Sequence, residues 1–186
     1  MTARTGATID SDVVAARVRE IRAAFPDVGL EWRQRQCHGL FRRVAIVDIE
    51  QDFARYKKNL ILIGHHFAVL AEGIVLCREL GSDRLISGAS AYQADEYQEQ
   101  STAALNVFAD VCSQFSVSLE TPIRGYDSLD SVKYQLLDFG VTTKSLESVS
   151  LFADSFARTT DSAVVRYLSE KRDIVDRYIA LRTRRF

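Results

Sequence analysis

Three short stretches of the chain carry side chains able to do chemistry. The first is Arg55-Tyr56-Lys57-Lys58-Asn59, where three cations stand beside a carboxamide. Clustered Lys and Arg suit a phosphate or carboxylate, and they equally suit a solvated face. Asn59 donates and accepts hydrogen bonds, so it can read the edge of a nucleotide base or hold the start of the helix that follows. The second stretch runs from Ser90 to Glu99 and gathers Tyr92, Asp95, Glu96, Tyr97 and Glu99. An acidic, aromatic loop of this kind fits a purine-like amide edge or a cationic group; its plainer reading is a hydrated lead-in to a helix. The third is Thr121-Pro122-Ile123-Arg124, whose hydroxyl and guanidinium can meet an oxyanion or simply make a turn.

Histidines and cysteines add less. His65 and His66 are adjacent, so on a helix they point about 100° apart and present no matched pair to one metal. His66 with Glu72 gains interest only if the two share a cleft; a buried hydrogen-bonding role is the simpler assignment. Cys37, Cys77 and Cys112 contain no CxxC pair. Their spacing argues against a disulfide framework or a local zinc knuckle and for core thiols in a reducing, cytoplasmic setting. No metal site is assigned. From Lys171 to Phe186 six cations face Asp173 and Asp176, a net charge of +4. The segment suits a helix terminus, an assembly contact or RNA, but no nucleic-acid-binding motif accompanies it, and nucleic acid is not the expected partner.

The elements that must position these residues follow from the apolar pattern. The chain has 186 residues, 47% of them hydrophobic, and its 24 Lys and Arg nearly balance 25 Asp and Glu, so no global field draws in a polyanion. Neither a membrane span nor a secretory leader is expected. Residues 1–11 read as a flexible leader, and 12–186 as a single domain ending in a helix. Helices are expected over Val13–Phe25, Leu60–Leu80, Gln100–Phe115, Ser131–Phe139 and Ser162–Leu181. Strands are expected at Leu30–Arg35, at Arg42–Ile49 with its run Val44-Ala45-Ile46-Val47, near Leu85-Ile86, and at Ser116–Glu120. Such alternation predicts an α/β fold with a mainly parallel sheet.

The order Tyr56-Lys57-Lys58-Asn59-Leu60-Ile61-Leu62, a long core helix, Leu80-Gly81-Ser82-Asp83-Arg84-Leu85-Ile86-Ser87-Gly88 and Thr121-Pro122-Ile123 resembles the later part of the 7-cyano-7-deazaguanine synthase-like PP-loop proteins. The resemblance runs from about Arg55 to Val141. It implies a Rossmann-like three-layer α/β/α sandwich and ATP-dependent activation of a deazapurine-like carboxylate. It places Asn59 near nucleotide, the 88–97 loop with Ser90, Tyr92 and Asp95 at the substrate mouth, and Thr121 after the next core strand. A partner-completed enzyme would add Lys58 at phosphate, with Asp95 and Arg124 as the catalytic candidates. Two family features are missing: no SGGxDS-like pyrophosphate loop occurs, and no cysteine cluster lies between the 146–150 region and Arg166, so no structural zinc is expected. The resemblance therefore implies a shortened, degenerate or split subunit, unable to adenylate alone, that retains a surface for a purine-like small molecule or a partner. Its alternatives are a synthase whose ATP and Mg2+ site is completed by a second chain supplying the missing loop, and a structural homodimer.

Overall fold

The computed structural model describes residues 8–9, 13–143, 149–150 and 158–184. Much of the expected 1–11 leader, and part of the segment where the family cysteines would fall, lie outside them. Helices dominate: α1 (Val13–Ala24), α2 (His38–Phe41), a π-helical turn (Arg42–Ile46), α3 (Ile49–Tyr56), α4 (Ile61–Leu80), a 3-10 turn (Gln98–Gln100), α5 (Thr102–Gln114), α6 (Leu129–Asp138) and α7 (Asp161–Thr183).

The centre is α4, the most apolar segment of the sequence. Asn59 Oδ1 accepts from the Ile61 amide at 3.0 Å and starts it. Gly81, at φ +67°, ends it in the left-handed conformation that a Cβ disfavours. By length and composition α4 could cross a membrane, with a mean hydropathy of 1.5, but 67% of that apolar window is buried in this structure. Its partners are α7 and α5. Ile63, Phe67, Ile74 and Val75 are fully buried with Val164, Leu168, Val175 and Ile179 of α7. Phe67 stacks on Phe108 of α5 with centroids 5.7 Å apart. Each such side chain contributes roughly 1.5–3 kcal/mol by leaving water. Thr160 and Ser101 cap α7 and α5 through side-chain oxygens that accept from the Ala163 and Ala104 amides.

Strands are few. β1 (Thr8–Ile9) pairs antiparallel with β4 (Val149–Ser150). β2 (Arg84–Ile86) pairs parallel with β3 (Ser118–Glu120), with Leu85 opposite Leu119. These two leucines pack on the helical core, while Arg84 holds Glu120 through two bonds of 2.6 and 2.7 Å on the other face.

The Rossmann-like sandwich with a mainly parallel sheet is overturned by this architecture, and the PP-loop assignment falls with it: among the described residues each sheet has two strands and the other regular elements are helices. The physical reason is clearest at residues 37–45. The run Val44-Ala45-Ile46-Val47 reads as an interior strand, but Cys37, Leu40, Phe41, Val44 and Ala45 are the buried positions, and their spacing is helical. The expected strand at Leu30–Arg35 is irregular chain. It is tied down by Arg35, which donates to Glu72 of α4 at 2.9 Å and to Glu79 at 2.8 Å.

Candidate functional site

An open groove of about 1020 Å³ lies where the π-helical turn, α3, the start of α4 and α7 meet. The local sequence explains its character. Asp48-Ile49 and Asp52-Phe53 repeat an acid–apolar pair four residues apart, so a helix carries an acidic stripe and an apolar stripe roughly 100° apart. In most surface helices the apolar stripe faces the core. Here the acidic one does. Asp52 is 9% exposed, while Ile49 is 38% and Phe53 55% exposed toward the groove.

The inverted helix is held by Lys171 of α7, itself 4% exposed. Its ammonium donates to Asp48 Oδ2 at 2.9 Å and stands 3.0 Å from Asp52 Oδ2. Burial opposes the Lys171 charge, but the two carboxylates override that and raise its pKa above the ordinary lysine value. Beneath them Tyr167 forms part of the groove wall and donates from its hydroxyl to the Val44 carbonyl at 3.2 Å. Burial pushes its pKa up, so it remains a neutral donor. The Val44 carbonyl belongs to the π-helical turn, where the Val47 amide bonds back five residues to Arg42 at 2.9 Å. Such turns recur at functional sites.

At the mouth stand Lys57, Lys58 and Asn59. Lys57 takes the left-handed conformation at φ 55° where α3 ends. Among the described residues neither lysine has a hydrogen-bond or ion-pair partner, in contrast to Arg55, which holds Glu170 at 2.6 Å. Asn59 spends its carbonyl oxygen on the α4 start.

The other sequence candidates lie in a separate region. Ser90 is fully buried and donates from its amide to Gln100 Oε1 at 2.8 Å and from its hydroxyl to Gln93 Oε1 at 3.0 Å. Arg124 donates to the Gln100 carbonyl at 3.0 Å and to Thr102 at 2.8 Å, and the Thr121 carbonyl accepts from the Arg124 amide. Ser90 and Arg124 thus meet through Gln100. Tyr92 is half-buried in the intervening turn, and Asp95 offers its backbone carbonyl to Arg158. The structure therefore gathers Lys58 and Asn59 at the groove, and Ser90, Thr121 and Arg124 around Gln100.

A third cluster involves the histidines. His66 does not have Glu72 as its partner; Glu72 is taken by Arg35 and by the Tyr178 hydroxyl at 2.6 Å. The acid that feels His66 is Glu99, 4% exposed, with one carboxylate oxygen unpartnered. Burial raises the Glu99 pKa, and the His66 charge draws it back. His65, edge-on to Phe41 and His66, has a buried, unpartnered Nε2; burial first and His66 second push its pKa down to about 4.

Among the described residues no group of three His, Cys, Asp or Glu is placed to hold a metal ion. The groove-lining Ile49, Asp52, Phe53 and Tyr167, and Lys171 behind them, belong to no sequence motif; the doubled Asp-Ile/Asp-Phe spacing is the one local signal of them. With no family model, no curated protein and no solved structure matching the chain, and with a helical fold in place of the sandwich, the degenerate or split PP-loop subunit and its nucleotide-binding role are withdrawn.

Proposed function

We propose that this chain binds a small amphiphilic anion, with an apolar body in the groove and a carboxylate-like head at Lys57 and Lys58. The observation that carries the reading is the inverted orientation of α3: it exposes Ile49 and Phe53 to a concave surface while burying Asp52. Exposed apolar side chains that line a concavity, instead of scattering over a surface, mark a place where something binds. The sign of the head group follows from the mouth. Lys171 balances Asp52 and Asp48, the lining acid Glu50 offsets one cation, and among the described residues the two lysines at the rim have no partner. The N-terminal end of α4, with its partial positive charge, lies beside them.

The test is a titration of the full chain with 8-anilinonaphthalene-1-sulfonate, which joins an apolar body to a fixed anion. Saturable 1:1 binding is expected, weakened about tenfold by Phe53→Asp, which places a charge on the apolar wall. Exchanging the rim cations by Lys57→Asn with Lys58→Glu, where Asn tolerates the left-handed backbone, should weaken it by a similar factor and reduce its salt dependence. Binding unchanged by both variants would remove the groove as the site.

A further inference from the structure

The charged side chains from Asp48 to Lys58 fall into two groups. Asp48 and Asp52 share the Lys171 ammonium, and Arg55 holds Glu170. Glu50, Lys57 and Lys58 line the groove and, among the described residues, have no hydrogen-bond or ion-pair partner. They stand at opposite ends of α3. Glu50 lies in the first turn and Lys57 at the C-terminal cap, seven residues later, which sets them roughly 10.5 Å apart along the helix axis. At that separation, in water, the solvent screens each from the other. Seven residues also return to nearly the same side of a helix, and Phe53 and Ala54, three and four residues after Glu50, fill the stripe between. Along α3 the groove wall therefore runs acid, apolar, base.

We infer that the groove selects a ligand charged at both ends, with Glu50 receiving a cationic amine at the end remote from the carboxylate-like head. This rests on the reading above for the head at Lys57 and Lys58 and for the apolar body, and adds the far end. The class narrows to ω-amino alkanoates and similar zwitterions long enough to span two helical turns. Glu50 is the specificity-determining residue: it attracts the amine and repels a second carboxylate in its place. An acid in the first turn also complements the helix dipole, but that role is felt in stability and is blind to the charge on a ligand.

The experiment compares 8-aminooctanoate with octanedioate as competitors of the bound naphthalenesulfonate on the full chain. The two share a carbon chain and one carboxylate and differ in the charge at the other end. The amino acid is expected to compete about tenfold better, since Glu50 attracts one terminus and repels the other. Glu50 is exposed, so its replacement leaves the packing alone. Glu50→Gln should bring the two competitors within about threefold of each other, and Glu50→Lys should invert their order. Asp110→Lys makes the same charge change at an exposed position of α5 that does not line the groove, and should leave the ratio at about ten. Equal competition by the two, an order that Glu50→Lys does not invert, an inversion that Asp110→Lys produces as well, or failure of both to displace the fluorophore overturns this inference and leaves the groove as a binding site. Failure of the naphthalenesulfonate itself to bind overturns the reading beneath it as well.

Discussion

Gly64 of α4 lies directly against Tyr167 of α7: a Cβ built on Gly64 would stand 2.5 Å from the Tyr167 hydroxyl and 2.8 Å from the Ala45 side chain. The glycine is what allows the tyrosine to reach the Val44 carbonyl and so fixes the π-helical turn against the groove wall. At an exposed helical position Gly→Ala gains about 1 kcal/mol. Here Gly64→Ala should instead lose about 2 kcal/mol through overpacking, read as a lower urea midpoint. Adding Tyr167→Phe removes the obstructing oxygen and should recover part of that loss, giving a non-additive cycle.

Removing the cation beneath α3 is the second test. Lys171→Met leaves Asp48 and Asp52 facing each other without compensation, and the buried Asp52 bears most of the penalty. A loss of about 3 kcal/mol is expected, toward the lower end for a broken buried pair because Asp48 is partly solvated. The double variant Lys171→Met with Asp52→Asn should be more stable than Lys171→Met alone.

The histidine cluster predicts a particular pH response. His65 is held neutral by burial, with its pKa near 4 in the fold against about 6.5 unfolded. Its contribution is present above the unfolded value and is lost as pH falls from about 6.5 through 4, by up to about 3 kcal/mol. Glu99 acts with the opposite sign. Its raised pKa favours the fold below the ordinary carboxylate range, and that contribution is lost as pH rises through the folded value. Relative to the parent, His65→Gln should flatten the loss of stability between pH 6.5 and 4, and Glu99→Gln should gain more at pH 7 than at pH 4. Urea midpoints across that range decide both.

Thiol chemistry gives a fourth expectation. All three cysteines are buried, and burial raises their pKa values, that of Cys112 to about 12. The native chain at pH 8 should react slowly with an aromatic disulfide reagent, and all three thiols should react at once in denaturant. Rapid reaction of the folded chain would contradict the packing around α2, α4 and α5.

Helices with long apolar stripes were legible in the sequence. α1, α4, α5 and α7 fall within a few residues of their expected spans, because periodicity and caps such as Gly81 act locally. Residues 37–47 misled because a short apolar run looks alike in a buried strand and a buried helix; the deciding stripe began earlier, at Cys37. With that run and Leu30–Arg35 taken as strands, the pattern alternates as a parallel sheet would, and a resemblance that rests on element order inherits the error. Lys58 and Asn59 were found as a polar cluster, but the groove behind them depends on Lys171, 113 positions beyond Lys58 in the sequence. No local pattern reports that pairing.

The β2–β3 pair carries a consequence for how the chain assembles. Arg84 lies opposite Ser118, and the strands are parallel, so no tight turn can zip them together. They meet only after the chain has travelled out through α5 and come back, which makes this pair a late event in folding. With only three residues to a strand, it is also the segment of the core that should open first, its amides trading deuterium ahead of those of α4 and α7. When it opens, two strand edges become available to whatever chain is nearby. Crowded, concentrated solutions should therefore test the protein's solubility at Ile86 before they test it anywhere in the helical core.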